Sequence, residues 1–292
     1  LGCDLLHSPT GLAPGHLHCP SVITLHDLAF LKYPELFPWL QRKYLNWQFP
    51  RSASMASAVI TDSETIRDEI VEHLPVPEEK VRPIALGVRS DFRRVEDEKT
   101  LKRLKAAHRL PEQFILALGT VEPRKNLLTL LEAFKQVSEE EPEIQLVLTG
   151  RRGWKEEPVF EKIEQLQLAS RVRWTGFVSR SDLAGLYTLA ELSAYLSLYE
   201  GFGLPVLESM ACGTPVVVSD IPVFQEWAGG AAALVEPDDP AQVAGRIMTL
   251  LNNPSRRNEL SERGLEKAEK FSWERTAEKT VKIYEQTATN GG

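Results

Sequence analysis

The chain has 292 residues, 42% of them apolar and 26% charged, enough to bury two modest cores. A formal net charge of −7 excludes wholesale nucleic-acid binding, and no apolar run approaches the ~20 residues that cross a bilayer. Three cysteines, odd in number and not in metal-like pairs, fit a reducing cytoplasm, and no signal peptide is visible.

In chain order, four short runs read as strands: Asp4-Leu5-Leu6-His7, Ser21-Val22-Ile23-Thr24-Leu25, Ala58-Val59-Ile60-Thr61 and Val81-Arg82-Pro83-Ile84. Cys3, His7, His16, His18 and Cys19 cluster near the start. Zinc would need four such ligands at a regular spacing, which His16-x-His18-Cys19 does not offer, so no metal is predicted. Trp39 to Ser57 predicts a long helix. Its stretch from Phe37 to Phe49 mixes aromatic and basic residues, which fits either packing on a sheet or peripheral contact with a membrane interface. From Asp91 to about Leu110 the chain turns charged and helical, as suits an interdomain connector. Residues 1–108 hold 14 basic and 14 acidic side chains, so all of the excess acid lies beyond them.

A second strand–helix block starts at Phe114-Ile115-Leu116-Ala117-Leu118, a continuous apolar run ending in Gly119-Thr120-Val121-Glu122-Pro123-Arg124-Lys125-Asn126. Asn126 is placed to cap a helix whose apolar positions are Leu127, Leu130, Leu131 and Phe134. Arg124 and Lys125 then stand at the carboxyl end of a strand, where parallel α/β sheets bind ligands. A flat guanidinium fork and a compact ammonium both suit a diphosphate. Further strands are expected at Ile144–Leu148 and Arg171–Trp174, and a last helix from about Ser272 to Thr287.

Glu200-Gly201-Phe202-Gly203-Leu204-Pro205-Val206-Leu207-Glu208 follows the apolar run Leu192–Leu198. Gly201 and Gly203 make a bare turn, Pro205 suits a first helical turn, and Gly213 suits the stop. Strand, glycine turn and helix start together form an anion cradle. Glu200 would lie in the turn, and Glu208 about one helical turn in. There Glu208 can accept from paired sugar hydroxyls, or merely complement the helix dipole for about 0.3–1 kcal/mol.

These motifs resemble the retaining GT-B glycosyltransferases of family 4, with the Glu-x7-Glu hallmark standing as Glu200 to Glu208. Leu118–Asn126 and Trp174-Thr175-Gly176-Phe177-Val178 match as well, and Thr24-Leu25-His26-Asp27-Leu28-Ala29-Phe30 is similar to the mannosyltransferase branch. The resemblance implies an α/β fold of GT-B type: two Rossmann-like domains facing a cleft, the N-terminal one truncated. It implies an acceptor-side domain over 1–108, a nucleotide-sugar domain over 109–272, and a C-terminal helix over 273–292 that crosses back. Because family members begin with a further strand and glycine-rich turn, the first sheet is expected to be small.

The resemblance also implies roles. Lys125, helped by Arg124, would hold the donor diphosphate and meet charge on the departing nucleotide. Glu208 would bind the ribose. Glu200, with the amides of Gly201, Phe202, Gly203 and Leu204, would hold the sugar and the distal phosphate. Phe177 and Val178 would lie against the base, and His26 would face the sugar from the opposing domain. Gly119 and Thr120 would border the diphosphate. Thr120 stands where many members carry arginine, a charge Arg124 is expected to replace. There is no Asp-x-Asp, so a metal-independent transfer without cofactor is expected. The implied reaction moves a hexose, mannose first, from a nucleoside-diphosphate sugar (GDP-mannose before UDP-glucose) to a carbohydrate or lipid-linked acceptor hydroxyl. Two alternatives stand beside it: a nucleotide-sugar-binding protein without transfer, and a sugar-nucleotide epimerase of the same fold.

Overall fold

Short, mostly apolar strands build two separate parallel sheets. The computed structural model describes residues 3–13 and 18–289, so His16 of the His/Cys cluster lies outside the described residues. The chain divides into two compact units. The first gathers the chain up to Gly87, Tyr199–Phe202 and the segment from Phe271 onward; the second holds Val88–Leu198 and Gly203–Lys270.

The first unit contains β1 (Leu6–Ser8), β2 (Ser21–Leu25), α1 (Ala29–Lys32), α2 (Trp39–Met55), β3 (Ala58–Thr61), α3 (Glu64–His73) and β4 (Val81–Pro83). Its strands pair in parallel in the order β1-β2-β3-β4. Every residue of β2 and β3 is buried, as expected of parallel strands covered on both faces. Ile23, Leu25 and Val59 pack with Ile66 and Ile70 of α3 and with Phe30 and Ala53. β1 differs from expectation. Pairing starts at Leu6 opposite Ser21, while Leu5 packs beside Val22, Ala58, Ile60 and Ile84 instead of joining the ladder.

The second unit contains α4 (Glu98–Ala107), β5 (Gln113–Leu118), α5 (Leu127–Glu140), β6 (Ile144–Thr149), α6 (Glu157–Gln165), β7 (Val172–Gly176) and α7 (Arg180–Leu189). It continues with β8 (Leu192–Tyr195), α8 (Leu204–Ala211), β9 (Val216–Ser219), α9 (Pro222–Ala228), β10 (Ala233–Val235), α10 (Pro240–Leu251) and α11 (Pro254–Ala268). The strands are parallel in the order β10-β9-β8-β5-β6-β7. From β5 the chain builds outward through β6 and β7, then returns to β8 and builds the other way. The order therefore reverses between β5 and β8. The charged stretch after Asp91 becomes α4, which Asp97 caps by accepting from the amides of Lys99 and Thr100.

The last helix, α12 (Trp273–Thr289), packs on the first sheet. Its Ile283 and Tyr284 sit against Val22, Ala58, Ile60 and Ile84, and the Thr276 hydroxyl donates to the Ala85 carbonyl at 2.8 Å.

In the second unit Leu130, Leu131, Phe134 and Val137 put the apolar stripe of α5 into the core, with Phe134 fully buried. Phe134→Ala should destabilise that unit by about 3–5 kcal/mol, from lost transfer energy plus the cavity left behind. Urea unfolding followed by circular dichroism measures it; a loss below about 1 kcal/mol would contradict this core assignment.

Candidate functional site

Where strand order reverses, neighbouring strand ends leave a crevice, and doubly wound sheets bind ligands there. The two motifs of the second block follow the two strands at that point, β5 and β8. Beyond β5, the Gly119 amide donates to the Thr149 carbonyl at 2.9 Å, and Pro123–Lys125 form a single 3-10 turn. The Leu198 amide donates to the Arg124 carbonyl at 2.9 Å, tying the two strand-end loops together. Lys125 reaches the neighbouring strand: its Nζ lies 2.5 Å from the Tyr195 hydroxyl and 4.7 Å from the ring centroid. Gly119, Thr120, Lys125 and Tyr195 line one recess. Arg124 is turned to Glu122, with Nη2 3.0 Å from Oε1, so its charge is shared with a carboxylate.

Asn126 precedes α5 but does not cap it through its side chain. Its backbone is left-handed (φ 53°); its Oδ1 accepts from the Thr129 hydroxyl and its Nδ2 donates to the Pro237 carbonyl. The left-handed conformation turns the side chain from the helix amides toward a distant loop.

Gly203 opens α8 with φ +92°, and a Cβ there would run into the Phe224 ring. Leu204 and Pro205 form the first turn of α8. Glu208, half-buried further along α8, accepts from the Tyr187 hydroxyl at 3.2 Å. Burial pushes its carboxyl up to about 7, against the opposing pull of Tyr187 and Arg180. Phe177 and Val178 part company. Val178 is buried beneath α7, while Phe177 is 64% exposed, with the Arg151 guanidinium 4.7 Å from its ring centroid. Of the two, Phe177 is thus open to a ligand, while Val178 is turned into the core.

The first unit carries the remaining residues. His26 follows β2, with Nδ1 2.8 Å from Asp62 Oδ2 and Nε2 3.0 Å from the Pro9 carbonyl. Tyr199–Phe202, including the buried Glu200, belongs to this unit. Gly201 lies so close to the His26 carbonyl oxygen that no Cβ would fit. Ser63 Oγ donates to the Gly201 carbonyl at 2.9 Å while capping α3 through the Ile66 amide. The Tyr199 hydroxyl donates to Glu69 at 2.5 Å and accepts from the Leu28 amide. Phe202 packs edge-on to Phe271, so its side chain serves the core.

Tyr195, Tyr187, Arg151, Ser63 and Asp62 were not singled out from the sequence, although Asp62-Ser63 directly after a buried strand is a readable helix-start signal. Within the His/Cys cluster, the Cys3 and Cys19 Sγ atoms lie 2.8 Å apart as free thiols. Among the described residues no three His, Cys, Asp or Glu side chains gather as a metal site, and no helix is long and apolar enough to cross a membrane.

Two parallel α/β sheets, one with its strand order reversed at a cationic crevice, are the architecture of the GT-B glycosyltransferases. The chain superimposes on sucrose-phosphate synthase from Thermosynechococcus elongatus with a TM-score of 0.81 at 25% identity, covering 97% of this chain and 73% of that one. Residues 98–267 match the family Glycosyl transferases group 1, and residues 1–92 match Glycosyltransferase Family 4. The chain belongs to the Glycosyl transferases group 1 family. It is 32% identical over 281 residues to O-antigen chain mannosyltransferase B of Escherichia coli, covering 96% of this chain and 74% of that protein. It is 31% identical over 266 residues to the serotype-specific mannosyltransferase WbdA of Escherichia coli, of which it spans 32%.

The raised Glu208 carboxyl has a consequence for stability. A carboxyl with a raised folded value binds more protons folded than unfolded, between its ordinary 4.5 and about 7. Stability therefore falls as pH rises through that window. Glu208→Gln keeps the shape without the charge, so it should melt above the parent at pH 8, with the gap closing toward pH 5. Calorimetry at both values checks it; a gap independent of pH would refute it.

Proposed function

We propose that this chain transfers a hexose, mannose first, from a nucleoside-diphosphate sugar to a hydroxyl of a carbohydrate or lipid-linked acceptor, with retention of anomeric configuration. GDP-mannose is the first donor to consider and UDP-glucose the second. The observation that carries the reading is Lys125, a cation standing on Tyr195 at the point where the second sheet reverses its strand order. The 32% identity to a mannosyltransferase over nearly the whole chain supports the choice of sugar.

In this reading the Lys125 ammonium, with Arg124 and the amides of Gly203 and Leu204, meets the diphosphate charge that grows as the glycosidic bond breaks, and no metal is required. Such preorganised charge acts mainly on the transition state. Gly119 and Thr120 border the diphosphate without a side-chain cation. Glu208 accepts from the ribose hydroxyls, which its carboxylate form does best, and Phe177 flanks the base. Glu200 and His26 are given to the transferred sugar. With no covalent glycosyl-enzyme invoked, the acceptor attacks on the face the diphosphate leaves, and the leaving phosphate takes the acceptor proton.

A donor at a hundred times its dissociation constant should stabilise the fold by ~2.7 kcal/mol. We expect this with GDP-mannose in a thermal-shift panel that also holds UDP-glucose, UDP-N-acetylglucosamine and ADP-glucose. Lys125→Ala should keep its unliganded melting temperature within a degree or two while losing about 2–4 kcal/mol of transition-state stabilisation in transfer assays. Parent-like turnover in this variant would remove Lys125 from its assigned role.

The same reading includes peripheral contact at the cytoplasmic face of a membrane, through α2. That helix has no carboxylate and exposes Trp39, Leu40, Tyr44 and Trp47. Lys43 lies over Trp39 at 4.2 Å and Arg51 over Trp47 at 5.9 Å. Aromatic rings beside cations suit an anionic headgroup layer. The protein should float with phosphatidylglycerol vesicles and not with phosphatidylcholine ones, and Trp39→Ser with Trp47→Ser should abolish it. Sedimentation away from both vesicle types would count against this contact.

A further inference from the structure

His26 is the one histidine given to the sugar, and its surroundings determine what it can do. Both ring nitrogens face acceptors: Nδ1 the Asp62 carboxylate at 2.8 Å, and Nε2 the Pro9 carbonyl at 3.0 Å. Neither partner has a hydrogen to give, so each ring nitrogen carries its own. The Asp62 side chain is 4% exposed, that of His26 53%. One partner is thus a fixed anchor and the other an accessible ring.

Three strand ends converge here, since Pro9 follows β1, His26 follows β2 and Asp62 follows β3. This is the carboxyl edge of a parallel sheet, where ligands are met. Asp62 is held at the start of α3 by Ser63, which caps that helix. The second carboxylate oxygen of Asp62, Oδ1, is buried without a hydrogen-bond partner among the described residues. A buried, half-satisfied carboxylate destabilises a fold, and such sites concentrate where function demands them.

We propose that Asp62 is the positioning residue of the transfer reaction: it fixes the His26 ring and keeps it doubly protonated, so His26 acts as a charged N–H donor and never as a base. The Nε2 hydrogen now given to Pro9 is the one a sugar or phosphate oxygen competes for. This rests on the transferase reading, which gives His26 to the sugar.

The charged surroundings agree. The Asp62 bond raises His26 above its ordinary value, burial opposes it, and Asp27 adds to the rise. Burial raises Asp62 in turn, while His26 pulls it back. From β1, His7 is lowered by burial and by His26, and its nitrogens bond Thr24 and Tyr284. On the Tyr199–Phe202 segment, Glu200 precedes the Gly201 that lies against the His26 carbonyl.

The test is ¹⁵N-histidine NMR with transfer kinetics on the full chain. In the parent, both His26 nitrogens should show imidazolium shifts at pH 7; a neutral tautomer there would overturn the proposal, whatever the activity. In Asp62→Asn, the His26 midpoint should fall by ~1 pH unit or more. Its kcat should drop about 10-fold or more while donor KM stays within about twofold, with turnover partly regained toward pH 6. Asp62→Glu, which keeps the carboxylate, should hold the midpoint up. An unchanged midpoint in a folded Asn variant, or an unchanged kcat, would overturn it. Should the parent itself transfer no sugar, the functional reading fails, and the NMR midpoints still decide what Asp62 does to His26.

Discussion

The pairing of β5 with β8 sets the layout of the second unit, and it brings an ammonium onto an aromatic ring. Lys125 can rest on Tyr195 only because β5 and β8, nearly eighty residues apart along the chain, are neighbours in the sheet. That adjacency follows from the reversal of strand order, and the reversal opens a crevice at the strand ends. The Leu198-to-Arg124 backbone bond then holds the two loops in register. A flexible lysine gains a defined address from a sheet whose strands are mostly apolar. The cost of holding a cation at a partly buried place is moderated by the ring face and hydroxyl of Tyr195.

The first unit solves a related problem with a carboxylate and an imidazole. Here too polar groups cluster at the ends of buried strands, and the interior of the sheet stays apolar. Ser63 shows how economical the arrangement is. One hydroxyl accepts the amide that would otherwise be orphaned at the start of α3, and donates to the Gly201 carbonyl. The motif glycine thereby gains a fixed backbone position, which its lack of a side chain permits against His26.

Much of the fold could be read from residue patterns. Ser21–Leu25 and Ala58–Thr61 form strands with the bounds expected of them, because each is a short run rich in β-branched residues. β1 and β10 are harder: three residues at a sheet edge carry no periodicity, and β10 was not anticipated. The glycine turns and the Arg-Lys pair marked out a candidate site by local composition. Tyr195, Tyr187 and Asp62 did not, because their importance lies in partners 70, 21 and 36 residues away. The Asn126 side chain misled for a similar reason: a good capping residue is of no use to a helix it reaches with left-handed backbone. Val178 shows the limit of reading adjacent residues as a pair, since it is buried while Phe177 is exposed.

The packing of α12 bears on how the molecule is made. Val22, Ala58, Ile60 and Ile84 leave the ribosome about two hundred residues or more before Ile283 and Tyr284, which shield them. The second unit, with a buried core of its own, is synthesised while that face waits. The nascent first sheet therefore passes through a sticky interval in which chaperone capture and off-pathway association compete with the arrival of its cover.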